Sequence, residues 1–200
     1  MLFVSIGIDC DVANFLNKYN LRKASLPFDW NVSYSGVSQC IENNFKNFTN
    51  PLSRERINGD DVYFHHDFLE ASMTQADSDK YHRRCVRLLN LFETAENTGE
   101  YVLFIRKGHL CYHHEEQNGK YKNITDDTED AKQLDRVLRT KYPHLKYKII
   151  VLLGCTTCFS KDTVCDENDT PHTIDVYNNI GGTFEERLLN IVITEIREHS

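Results

Sequence analysis

The sequence predicts a single-domain α/β protein over residues 1–200, with a mostly parallel sheet and helices on both faces. Three observations carry that prediction. Runs at 2–8, 101–106 and 147–153 are apolar almost without interruption, as strands covered on both faces are. Segments with helical spacing alternate with such runs through the second half, the pattern of a parallel sheet with crossover helices. No internal repeat, low-complexity stretch or linker divides the chain, and 200 residues are enough for one sizeable core.

The first run is broken only by Ser5 and Gly7 and reads as a central strand that stops at Gly7. Val12, Phe15, Leu16 and Tyr19 then share one helical face. Asp9 or Asp11 can cap that helix by accepting from its orphan amides. Cys10 sits at the junction, near the positive end of a helix dipole, which favours the thiolate. An activated cysteine is one reading, and a small buried hydrophobe is the other. Pro27 forbids a helix through 21–30 and makes Leu26 extended. Ser25, Asp29 and Trp30 therefore fall on an ordered loop, weighted by Phe28 and Trp30, that is either a buried anchor or a binding loop.

Val37, Ile41, Phe45 and Phe48 space a second helix that Pro51 ends. A turn at 58–61 leads into a short strand over 62–68 that finishes near His65 and His66. Asp77 or Ser78 is expected to cap a long helix reaching about Phe92, with Tyr81, Cys85, Leu88, Leu89 and Phe92 inward. Its other face carries Lys80, His82, Arg83, Arg84 and Arg87, either solvated or gripping an anionic group. After the stop at 97–99 come the strand 101–106, a polar stretch with His109, His113 and His114, and a helix over 126–142. The strand 147–153, a loop over 155–172 and a strand over 173–177 follow. A Thr183-x-x-Glu186 capping box opens the last helix. In such sheets ligands bind beyond the carboxyl ends of the strands. Cys10, the residues after Arg106 and the loop from Cys155 all fall there.

A formal net charge of -7 argues against non-specific nucleic-acid binding as the main role. The apolar start is too short for a membrane span and lacks a basic lead, so a cytoplasmic protein without membrane contact is expected. The 7 cysteines are scattered and odd in number, so reduced thiols are expected.

Several phrases resemble a known family. They are Ser5-Ile6-Gly7-x-x-Cys10, Leu21-Arg22-Lys23-x-Ser25-x-Pro27-Phe28-Asp29-Trp30 and Phe64-x-His66-Asp67-Phe68, with Tyr81-x-Arg83-Arg84-x-x-Arg87 and Val102-Leu103-Phe104-Ile105-Arg106. Together they are similar to a family of papain-like cysteine peptidases of unknown function from bacteria and large DNA viruses. The resemblance covers roughly 3–153, and Ser-x-Pro-Phe-Asp-Trp is its most specific part. It implies a thiol hydrolase with Cys10 as nucleophile, His66 as base and Asp29 as the group orienting the imidazole. Asp67 neighbours His66 and would point to the opposite face of an extended segment. Trp30 and Arg106 are the expected substrate-binding residues. Backbone N–H groups at the helix start would serve as an oxyanion hole. For a viral protein the implied compartment is the host cytoplasm. The papain-like α+β fold, with a mostly antiparallel sheet, is the alternative architecture that the resemblance implies.

Three rival constellations exist. Cys10 after the first strand with Asp169-x-x-His172 resembles the layout of SGNH acyl esterases. Cys155, Cys158, Cys165 and His172 supply three thiols and an imidazole, a donor set for tetrahedral zinc, although Cys155 and Cys158 also fit a redox pair or a plain loop. A catalytically inactive protein- or glycan-binding module is the third. The hydrolase reading needs no cofactor or metal, and its substrate is an unidentified peptide, ester or glycan-linked amide.

Overall fold

The computed structural model describes residues 1–7, 9–33, 36–49, 56–64, 66–68, 74–108, 127–152, 173–177 and 182–199. The chain runs β1 (Leu2–Ser5), α1 (Asp11–Lys18), β2 (Val32–Ser33), α2 (Gly36–Glu42), β3 (Val62–Tyr63) and α3 (Gln75–Thr98). It continues with β4 (Val102–Lys107), α4 (Asp127–Lys141), β5 (Tyr147–Leu152), β6 (Ile174–Tyr177) and α5 (Phe184–Glu198). Four strands form one sheet in the order β1-β4-β5-β6, and every pairing in it is parallel. The α/β prediction therefore holds, and the antiparallel papain-like alternative is not the architecture found.

Strand alternation divides the sheet into two cores. Val4, Val102, Phe104, Ile149 and Val151 face one side, where they join Val37 and Ile41 of α2, Leu88 and Phe92 of α3, and Leu134 and Leu138 of α4. Leu103, Ile105, Ile150 and Leu152 face the other side and meet Val12, Phe15 and Leu16 of α1 and Leu188, Ile191 and Val192 of α5. Each β4 and β5 residue thus has a helix to pack on whichever way it points, which explains the unbroken apolar runs. Because the strand order advances in one direction, the crossovers through α3 and α4 lie on the same face.

Several expectations are corrected in detail. Among the described residues β1 is an edge strand rather than a central one, paired only with β4. Its apolar character comes from helices above and below, not from a second strand neighbour. The second helix stops at Glu42 because Asn44 and Phe45 take left-handed φ values of 57° and 59°. The expected strand over 62–68 shrinks to Val62–Tyr63, which pairs antiparallel with β2 in a separate two-stranded sheet. The long helix begins earlier and ends later than expected. Thr74, not Asp77 or Ser78, is its N-cap and accepts from the Asp77 amide at 3.2 Å, while Gly99 ends it at φ 70°. The Thr183–Glu186 capping box is present as read, with Glu186 Oε2 accepting from the Thr183 amide at 2.9 Å.

Candidate active site

Gly7 ends the approach to the site at φ +102°, and a Cβ there would lie 2.3 Å from the Ser33 hydroxyl. Glycine is thus needed both for the turn and for the close passage of β2. Cys10 follows at the carboxyl end of β1, as the N-cap residue of α1. The N-cap residue Cys10 makes no side-chain cap bond, but Asp9 Oδ1 accepts from the Asp11 amide, the first of the helix, at 2.9 Å, in line with the expectation that Asp9 or Asp11 engages an orphan amide. This N–H is thereby taken, and the expected oxyanion hole lacks it.

The charge on Cys10 also departs from expectation. Its thiol is pushed above the ordinary value, first by burial, then by the carboxylates of Asp9 and Asp11 on either side. A backbone hydrogen bond and the Lys107 ammonium oppose this without reversing it. Burial and the two carboxylates thus favour the protonated thiol over the thiolate at Cys10.

Cys10 and His66 line one cavity of about 230 Å³, together with Asp9, Asp11, Trp30, Asn31 and Val32. His66 is exposed and meets the Trp30 ring edge to face, with centroids 6.4 Å apart and planes at 82°. The flanking residues hold its segment in place. Asp67 accepts from Lys80 Nζ at 2.8 Å and from the Tyr81 hydroxyl at 2.5 Å, both on α3. Burial raises the Asp67 carboxyl, but these two donors outweigh it and hold the group below its usual range. Phe68 packs on Phe64 and Tyr81. Asp67 is thus turned to α3 and anchors the histidine-bearing segment.

Asp29 is buried and is not bonded to an imidazole. Its Oδ2 accepts from Arg22 Nε at 3.0 Å, from a terminal Arg22 nitrogen at 2.6 Å and from the Leu26 amide at 2.8 Å. Burial pushes its carboxyl above the usual range against these donors and Arg84. Arg22 in turn lies over the Trp30 ring, 5.4 Å from its centroid. Asp29 therefore acts on the cavity indirectly, through Arg22 and Trp30. Arg106 lines a different pocket: it is buried at 2% exposure, donates to Asp127 at 2.7 Å and Asp130 at 3.1 Å, and ties β4 to α4. That placement does not put it against an occupant of the Cys10 cavity. The basic face of α3 holds the two loops: Arg87 donates to the Ser25 carbonyl at 2.6 Å, and Lys80 pairs with Asp67. Asp169, His172, Cys155, Cys158, Cys165, His65, His109, His113 and His114 lie outside the described residues.

Sequence reasoning missed Lys107. Its Nζ bonds Asp9 at 2.8 Å and also bonds Asp11, so it bridges the carboxylates on either side of Cys10. The signal was present in the alternation of β4. If Arg106 points to α4, Lys107 points to α1. Asn31 was also missed; its Nδ2 donates to the Pro27 carbonyl at 2.5 Å, fixing it in the cavity wall.

Comparison with known proteins bears on this segment. Residues 1–61 match the model of a family described as "Putative papain-like cysteine peptidase". The matched span includes Cys10, Asp29 and Trp30 and ends before His66. An uncharacterized protein of Acanthamoeba polyphaga mimivirus is 30% identical over 139 residues, covering 52% of this chain and 60% of that protein. No solved structure matches.

Proposed function

We propose that this chain is a cysteine-dependent acyl hydrolase, with Cys10 as nucleophile and His66 as its base. The observation that carries the proposal is that these two residues, 56 positions apart, line the same cavity at the carboxyl end of β1. The similarity of residues 1–61 to the peptidase family supports the nucleophile segment. In the reaction His66 takes the proton from the Cys10 thiol as Sγ attacks an acyl carbon. The same proton passes to the leaving group as the carbon–heteroatom bond breaks, leaving a thioester. Water then attacks the thioester, with His66 again as base, and returns the free thiol and a carboxylic acid. The raised Cys10 thiol favours the protonated form, so the reaction relies on a neighbouring base. Peptide, ester and glycan-linked amide substrates all fit this chemistry.

The test uses p-nitrophenyl acetate, with the acylated residue mapped by mass spectrometry. Wild-type protein is expected to acylate at Cys10 and turn over. Cys10→Ala is expected to lose that turnover, and His66→Ala to slow it by about 10²–10⁴-fold. Undiminished turnover in a folded Cys10→Ala variant overturns the proposal. A rate untouched by His66→Ala but lost in His172→Ala moves the base to His172 and favours the esterase-like layout.

A further inference from the structure

We propose that the last turn of α5 binds a divalent transition-metal ion through Glu195, Glu198 and His199. Carboxylate oxygens of the two glutamates and an imidazole nitrogen of His199 all lie within 4.8 Å of one another. Acidic side chains commonly gather at a helix end, so the cluster alone argues little. The second observation is Glu195 Oε2. Glu195 is 2% exposed, and its Oε1 accepts from Lys148 Nζ at 2.7 Å, but Oε2 is buried and accepts no hydrogen bond. A buried carboxylate oxygen left without a hydrogen bond is costly.

Oε2 faces His199 Nε2 at 3.6 Å. That is too long for a hydrogen bond, yet close to the separation of about 3.3 Å between two donors on a tetrahedral zinc ion with bonds of about 2.0–2.1 Å. The His199 ring is held in place by stacking on Tyr101, with centroids 3.8 Å apart and planes at 23°. Local charge agrees. Glu195, Glu198 and Asp175 bring three negative charges, and Lys148, which also pairs with Asp175 at 3.1 Å, brings one positive. With His199 neutral the balance matches a dication. One imidazole and two carboxylates, with a position left for water, suit zinc and its first-row neighbours better than magnesium or calcium. Tyr101 precedes β4, so the site lies at the amino edge of the sheet, away from Cys10 at the carboxyl edge.

Cobalt(II) serves as the probe, because the cysteines announce themselves by thiolate-to-cobalt charge-transfer absorption and an imidazole–carboxylate site does not. The expected result is one cobalt per chain with weak d–d absorption and no charge-transfer band, weakened at least about tenfold in both Glu198→Gln and His199→Ala. Both positions are exposed, so the variants keep the fold, which circular dichroism checks. Zinc is expected to raise the melting temperature of the wild type more than that of either variant. Charge-transfer-free binding that is absent, or equal in all three proteins, overturns the proposal and leaves Glu195 and His199 as an ion pair only.

Discussion

Lys107 moderates the electrostatics around Cys10 by pairing with the carboxylates on either side of it. Asp9 and Asp11 both disfavour a negative sulfur, and the Lys107 ammonium between them is the charge that limits their effect. Removing the cation must disfavour the thiolate further, so the Cys10 titration moves to still higher pH. Alkylation of Cys10 by iodoacetamide is expected to run roughly three- to tenfold slower at neutral pH in Lys107→Met, with the profile displaced upward. Asp11→Asn is expected to displace it downward, since it deletes one of the anions. Profiles measured against Cys10→Ala settle the matter, and coincident curves for wild type and Lys107→Met remove Lys107 from the site.

At the scale of elements, the cavity depends on loops clamped from below. α3 holds both the 22–30 loop and the 66–68 segment through its cationic face, so the helix that carries no cavity residue determines where Trp30 and His66 stand. The start of α2 meets the 58–61 turn that leads into β3 with almost no clearance: a Cβ on Gly36 would fall 1.6 Å from the Asp60 carbonyl oxygen. A backbone atom cannot move aside as a side-chain end can. Gly36→Ala is therefore expected to cost about 1–3 kcal/mol, measured as a lowered urea midpoint at unchanged slope. A variant as stable as the parent means that the 58–61 turn yields more readily than its packing implies.

For the whole molecule, the sheet was legible because strands covered on both faces have a distinctive composition. Val102 to Ile105 alternate between two cores, and neither side demands a polar residue. The capping box at Thr183 was legible because its chemistry is local. The edge position of β1 was not, since an apolar strand under helices reads alike with one strand neighbour or two. Nor was the state of the Cys10 thiol. Helix position argued for a lowered value, whereas burial and two adjacent carboxylates decide it the other way. Cys10 and His66 were paired only through the family resemblance, with Trp30 named beside them as a substrate-binding residue, and the fold brings all three to one cavity. Asp29 and Arg106 were singled out too, but their partners are an arginine on one side and two aspartates on the other. A single sequence carries the residue types at such positions but not the pairings.

Trp30 is the chain's one tryptophan, and its ring stands edge to face with His66. The molecule thus carries its own optical indicator. Protonated imidazole quenches indole emission by accepting an electron from the excited ring, whereas the neutral form does so weakly. Trp30 emission is therefore expected to rise in His66→Ala, which takes the imidazole quencher away from the indole, without any label. The same signal reports whatever enters the cavity between them, so an occupant can be sought by light alone before any reaction it undergoes is known.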